Sequence, residues 1–176
     1  EAKMILEAQA LPPIKPITLG NENTKFEIGN ETVLFRHEEK FRNPTGIGFI
    51  IDDNLSDTEI KERLEKINHL KFERVGQLLE VNLVALKQNT NSKRYLEATR
   101  LVLNATSLPL MLMSSDLEGI KQAAETTKAR KPLLYCATEK NFAQMGAISK
   151  ELQLPLVVAA PDLDGLAKLT KELGSL

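Results

Sequence analysis

Pro109-Leu110-Met111-Leu112-Met113, Pro132-Leu133-Leu134-Tyr135-Cys136 and Pro155-Leu156-Val157-Val158-Ala159 are three short apolar runs, each opened by Pro-Leu, and their prolines stand 23 residues apart. A continuous apolar run of this length is the pattern of a strand in a parallel sheet. Proline, which lacks an N–H, is tolerated at a strand's first residue. Each run is followed by a polar turn and then by a segment of helical period. Ser115 with Glu118, Thr138 and Asp162 stand where the three helices begin and carry the side chains that cap them. Phe142, Met145, Ile148 and Leu152 mark one buried stripe, and Leu163, Leu166, Leu169 and Leu173 another. The segment therefore reads as three equal strand–helix units.

Two more units lie upstream. Gly46-Ile47-Gly48-Phe49-Ile50-Ile51, ending in Asp52-Asp53, predicts a strand buried on both faces. The helix after it is strongly marked: Ser56 as N-cap, Glu59 closing a capping box, Leu55 and Ile60 as a hydrophobic staple, and Ile60, Leu64 and Ile67 as the buried stripe. A second strand is expected within Leu78 to Leu86, then a helix from about Asn91 to Asn104 with Leu96, Thr99 and Leu103 inward. Five consecutive βα units can close in two ways, as an open doubly wound sheet or as part of an eight-fold (β/α) barrel. The even unit length and the lack of a phosphate-binding glycine loop favour the TIM-barrel type. Five units leave such a barrel incomplete, since closure takes about eight strands. The rival, a small open-sheet α/β enzyme complete at Leu176, requires strand order 2-1-3-4-5.

Before the first unit, Lys25-Phe26-Glu27-Ile28, Gly29-Asn30 and Glu31-Thr32-Val33-Leu34-Phe35-Arg36 match a β-hairpin with a primed turn. Pro12, Pro13 and Pro16 favour an extended chain. The expected organisation is a linker from a missing N-terminal domain over 1–20, a hairpin entry segment over 21–45, and the first five units of a barrel over 46–176.

Composition narrows the function. The 176 residues carry 23 Lys+Arg against 24 Asp+Glu, a net charge of −1, with both signs interspersed, so no basic face for nucleic acid is expected. Cys136 is the only cysteine, which excludes an intrachain disulfide and a cysteine cluster and points to a reducing, cytoplasmic setting. No apolar stretch approaches the roughly 20 residues that span a bilayer, and Glu1 opens no signal-peptide pattern.

In either closure, ligands bind beyond the C-terminal strand ends. The residues expected there are Asp52, Asp53, Ser114, Ser115, Asp116, Cys136, Thr138, Ala160 and Asp162. Helix capping accounts for Ser115, Asp116, Thr138 and Asp162 without a ligand. Asp52 and Asp53 are neighbours in a strand and point to opposite faces, so they are not an acid–base couple. Cys136 has no adjacent His or Lys to activate it. His37, beside the hairpin, and His69, at a helix end, are the only histidines, too few for a His-centred metal site or triad. No catalytic or metal-binding residue is expected, and Asp52, Asp116, Cys136 and Asp162 remain as vestigial barrel-mouth candidates for cofactor binding.

Ile28 to Glu38, Phe41 to Ile47, Phe72-Glu73-Arg74-Val75-Gly76-Gln77 and Lys131-Pro132-Leu133-Leu134-Tyr135 resemble the barrel domain of the large (gamma) subunits of corrinoid iron–sulfur proteins, in the acetyl-CoA synthase/decarbonylase system. The resemblance implies a methyl carrier, whose cobalt corrinoid (cobalamin type) accepts a methyl group from a methyltetrahydrofolate or tetrahydropterin methyltransferase and delivers it to acetyl-CoA synthase. It implies a [4Fe-4S] cluster in an N-terminal domain, a corrinoid in a C-terminal domain, and as partners the small (delta) subunit, the methyltransferase and acetyl-CoA synthase. None of those ligands is carried by these residues, and the segment itself is expected to be non-catalytic. The family's barrel in turn is similar to pterin-dependent methyltransferases, which hold the pterin with an Asp after strand three and an Asn after strand four. Here the acid, Asp116, comes late, and Cys136 stands without an Asn, so the barrel reads as a scaffold rather than as a pterin-dependent methyltransferase.

Overall fold

A computed structural model describes residues 16–22, 24–29 and 45–175. Its centre is a five-stranded sheet of β3 (Gly48–Asp52), β6 (Leu83–Lys87), β7 (Leu110–Met113), β8 (Leu133–Ala137) and β9 (Leu156–Val158). All neighbouring pairs are parallel and the strands lie in sequence order. This is the order of consecutive βα units, as a barrel-type sheet requires, and differs from the 2-1-3-4-5 order of the open-sheet rival. The connecting helices are α1 (Asp57–His69), α2 (Ser92–Ala105), α3 (Leu117–Thr127), α4 (Phe142–Leu152) and α5 (Leu163–Gly174). Each packs beside the next, so the helices form one layer, whereas a doubly wound sheet distributes them over both faces.

The core lies between that layer and one face of the sheet, with Ile51, Leu86, Leu112 and Leu134 meeting Ile60, Tyr95, Ile120 and Met145. Strand register places the alternate side chains in two rows on the other face. Ile50, Ala85, Met111 and Leu133 form one, and Asp52, Lys87, Met113 and Tyr135 the other. The expectation that the first strand is buried on both faces is therefore corrected. Ile51 is buried, but Ile50 on the opposite face is 54% exposed because no described element covers that face, and Phe49, on the same face as Ile51, is 38% exposed near the start of this edge strand.

The three Pro-Leu prolines each stand one residue before their strand. Pro109 and Pro155 still join the ladder through their carbonyls, which accept from the amides of Val84 and Leu134 at 2.9 Å. Only the donor that proline lacks is absent.

The capping box of Ser56 and Glu59 forms as expected, with Ile60, Leu64 and Ile67 buried. Four other helix expectations are corrected. The buried stripe of α2 is Tyr95, Ala98, Thr99 and Val102, with Leu96 and Leu103 only partly covered. Tyr95 enters the core because its hydroxyl finds the Leu86 carbonyl at 3.2 Å, and this rotates the stripe away from the leucines. The cap of α3 is Asp116 rather than Ser115. Helix α4 starts at Phe142 after Asn141 rather than at Thr138, since Thr138 donates through both its amide and its hydroxyl to Asn141 Oδ1 in a turn before the helix. Asp162 does cap α5, accepting from Gly165 N at 2.7 Å, yet of the four leucines read as its stripe only Leu169 is buried and Leu163 is 82% exposed.

Two antiparallel ribbons lie outside the main sheet. β1 (Ile17–Leu19) pairs with β2 (Phe26–Ile28), so Ile17–Leu19, read as linker, is a strand with Leu19 fully buried. The turn between them uses Gly20 at φ 84°, where an added Cβ would stand 2.3 Å from the Thr24 carbonyl oxygen; only glycine fits. The expected second hairpin strand, 31–36, and His37 lie outside the described residues. The other ribbon, β4 (Lys71–Arg74) with β5 (Gln77–Glu80), occupies part of the stretch in which the second strand was sought.

Candidate functional site

The C-terminal strand ends converge on a cavity of about 320 Å³ lined by Lys87, Gln88, Met113, Ser115, Tyr135 and Cys136, among others. A second hollow of about 400 Å³ beside it is lined by residues 138–140 and 159–161, which places Ala160 at its wall. This is the end at which a parallel α/β sheet presents loops to a ligand.

The carboxylates expected at this end are all turned to the chain's own loops. Asp53, fully buried, accepts from Asn89 N at 2.7 Å, Thr90 N at 3.3 Å and Thr90 Oγ1 at 2.5 Å. Asp52, on the opposite face, accepts from Asn89 Nδ2 at 2.6 Å. The two neighbours do diverge, and both clamp the loop after β6. Arg94 locks the same region: its Nε donates to Asp53 O at 3.0 Å, Nη2 to Leu55 O at 2.7 Å and Nη1 to Asp57 Oδ1 at 2.7 Å.

Asp116 is the centre of a second network. It accepts from Ser92 Oγ at 2.5 Å and Glu118 N at 3.2 Å, with Gln88 Nε2 at 3.5 Å. Ser114 Oγ accepts from Asp116 N at 2.8 Å and donates to Gln88 Oε1 at 2.5 Å. The loops after β6 and β7 are thereby tied together, and Asp53 joins the loop after β3 to them. The Ser92 hydroxyl, followed by the weaker Gln88 and helix-start donors, holds the Asp116 carboxyl below the ordinary aspartate range.

That lowered value has a definite sign. A carboxylate whose folded value lies below its unfolded one stabilises fully above the unfolded value, about 3.9, and its contribution is lost as pH falls through the lowered folded value. Asp116→Asn is expected to cost about 1–2 kcal/mol at pH 7. The difference from the unsubstituted chain should shrink steadily below about pH 4. Urea unfolding at several pH values checks this; a difference constant from pH 7 to 2.5 would refute the assignment.

Cys136 is half-buried at the cavity wall, and burial pushes its thiol up from the ordinary range. A thiol held protonated is a poor nucleophile and a poor metal ligand. Asn141 Nδ2 donates to the Cys136 carbonyl at 3.2 Å, so that asparagine also serves the backbone. Among the described residues no buried polar side-chain atom lacks a partner. The expected residues Asp52, Asp116 and Cys136 do gather at one end, and Asp162 is spent as a helix cap beside the second hollow. Lys87 and Tyr135, which face the cavity from one inner row, were not among the expected site residues. The signal was available in strand alternation, but placing the second strand too early ended it before Lys87.

Comparison with known proteins gives the lineage. The family profile described as CO dehydrogenase/acetyl-CoA synthase delta subunit (CdhD) matches residues 16–176. The corrinoid/iron-sulfur protein large subunit of Moorella thermoacetica is 39% identical over 176 residues, covering 99% of this chain and 40% of the relative. The acetyl-CoA decarbonylase/synthase complex subunit gamma of Methanothermobacter thermautotrophicus is 34% identical over 173 residues, covering 97% of this chain and 38% of the relative. The chain thus spans about two fifths of the length of these curated relatives. With the match running from before the first ribbon through the last helix, the chain belongs to the CO dehydrogenase/acetyl-CoA synthase delta subunit family.

Proposed function

We propose that these residues form the first five βα units of a barrel that serves as a non-catalytic scaffold in a corrinoid iron–sulfur methyl-carrier protein of the acetyl-CoA pathway. The carrier takes a methyl group from a methyltetrahydrofolate or tetrahydropterin methyltransferase and passes it to acetyl-CoA synthase. Its partners on this reading are a small (delta) subunit and those two enzymes, in the cytoplasm. Among the described helices none is long and apolar enough to cross a membrane. The lineage supports the carrier role through the printed names of the relatives. The scaffold role rests on one observation, that the carboxylates at the strand ends are bound to the chain's own loops.

The residues do not fit the two cofactors that those names imply. An iron–sulfur cluster takes about four thiolates, and the chain has one cysteine. Among the described residues no three His, Cys, Asp or Glu side chains converge. His69 stands at the far end of α1, its Nδ1 2.8 Å from the Glu65 carbonyl oxygen. We therefore assign the corrinoid and the [4Fe-4S] cluster to other parts of the protein and route no step through them here.

The same reading denies the mouth a pterin. A pterin ring presents adjacent donors and acceptors, and each one buried without a match costs about 1–3 kcal/mol. Asp116 is occupied and Cys136 offers a weak donor and a weak acceptor. Calorimetric titration of methyltetrahydrofolate into the full-length gene product is expected to give no binding heat. Cys136→Asn alone should not create any, because Asp116 stays engaged. Micromolar binding abolished by Asp116→Ala would overturn the scaffold reading in favour of a pterin-dependent methyltransferase.

A further inference from the structure

The polar side chains lining the cavity at the strand ends fall into two groups. Gln88, Ser114, Thr138 and Asn141 are bonded to neighbouring groups of the chain itself. Lys87 Nζ and Tyr135 Oη carry no hydrogen bond or ion pair among the described residues. Both stand in the inner row, on β6 and β8, with Met113 of β7 between them. Two strand spacings put their backbones about 9–10 Å apart. Asp52 is the ladder partner of Lys87, yet its carboxylate accepts from Asn89. The cations in ion pairs among the described residues are Lys25, Arg94 and Lys121, so no described carboxylate contacts the Lys87 ammonium. Lys87 is exposed in the arc of five units. In a closed barrel it stands inside the rim, where water is scarcer and an ammonium requires a counter-charge.

We propose that Lys87 and Tyr135 form a binding site for a small organic anion. Lys87 takes its carboxylate or phosphate, its apolar body lies on Met113, and Tyr135 donates a hydrogen bond to an acceptor at its far end. The proposal rests on reading these units as part of a barrel. The cavity, about 320 Å³, has the size of a small-ligand site, and a few polar groups converging over an apolar floor are the usual composition of one. A pterin asks for matched neutral donors and acceptors along its ring; here a charge reads the ligand.

Calorimetric titration of the full-length gene product with 4-nitrobenzoate and with 4-nitrophenyl phosphate tests this, the two probes deciding between a carboxylate and a phosphate head. At least one is expected to bind with a Kd below about 1 mM. Acetate and inorganic phosphate, which lack the apolar body, should bind about ten-fold more weakly or worse. Lys87→Met should weaken the probe about ten-fold or more and Tyr135→Phe about three-fold. Lys121→Met, whose lysine pairs with Glu151 in the helix layer, should leave Kd unchanged. Lys87→Met should not lower Tm, because it removes a charge that the chain itself does not pair. Equal weakening by Lys121→Met would mean unspecific attraction and overturns the proposal. So does a Lys87→Met that lowers Tm by several degrees and leaves Kd unchanged, since the lysine is then paired within its own chain. A full-length protein free of dye-binding apolar surface that ignores both probes refutes the proposal alone. One that still binds the dye has no closed barrel, and the reading beneath the proposal fails with it.

Discussion

Asp53→Ala is expected to cost the folded chain about 3–5 kcal/mol, a large part of the stability of an ordinary domain. The carboxylate is fully buried and accepts three hydrogen bonds, from the amides of Asn89 and Thr90 and from the Thr90 hydroxyl. Truncation leaves three donors in a site without water access, each costing about 1–3 kcal/mol when unmatched. The loop after β6 then loses its tie to the end of β3, and with it the position of Asn91, which caps α2 by accepting from Arg94 N at 2.9 Å. Asp53→Asn keeps one carbonyl acceptor and should recover roughly half of the loss. Asp52→Ala removes a single bond at a partly exposed residue and should cost less than about 1 kcal/mol. Urea unfolding of the full-length chain, with unchanged m-value, measures all three. An Asp53→Ala loss no greater than that of Asp52→Ala would refute the division between a buried clamp and a surface contact.

That division shows where reading the chain residue by residue succeeds. Strand alternation already sends Asp52 and Asp53 to opposite faces, and the apolar runs after Pro109, Pro132 and Pro155 identify three strands without tertiary information. The capping box at Ser56 and Glu59 is equally local, since both partners lie within one turn. The failures share a physical form, in which a distant group decides between local options. Ser115 and Asp116 are both competent caps, and Asp116 prevails in a network anchored by Ser92 and Gln88, which come from the preceding unit. Tyr95 displaces its leucine neighbours from the core through a carbonyl on β6. The ribbon Lys71–Glu80 hides its turn because Val75 stands where asparagine would have announced it. At the candidate site the same limit applies: the carboxylates were legible as residues at strand ends, but their commitment to Asn89, Thr90 and Ser92 needed coordinates.

The remaining large effect concerns the second face of the sheet. The 176-residue segment produced alone is expected to self-associate and to bind a dye for exposed apolar surface. The row of Ile50, Ala85, Met111 and Leu133 faces away from the helices; Ala85 and Leu133 in it are buried and Met111 half-buried, so its exposure is concentrated at the β3 edge, where Ile47, Phe49 and Ile50 are 38%, 38% and 54% exposed. At the other edge β9 is three residues long and only partly buried throughout, while α5 buries Leu169 and leaves Leu163 82% exposed. Both edges and the face between them are what further βα units of a barrel would cover. At roughly 25 cal/mol per Å², even about 200 Å² of such apolar surface corresponds to about 5 kcal/mol gained by covering it. That is comparable to the whole stability of a domain, so a second molecule would supply the cover if the remaining units do not. Light scattering after gel filtration should give a mass above that of a monomer, and Ile50→Lys with Met111→Lys should restore solubility at the expense of closure in the full-length protein. A monomeric, cooperative unfolding transition at micromolar concentration without dye binding would mean that the sheet is complete as it stands, and the barrel reading would fall.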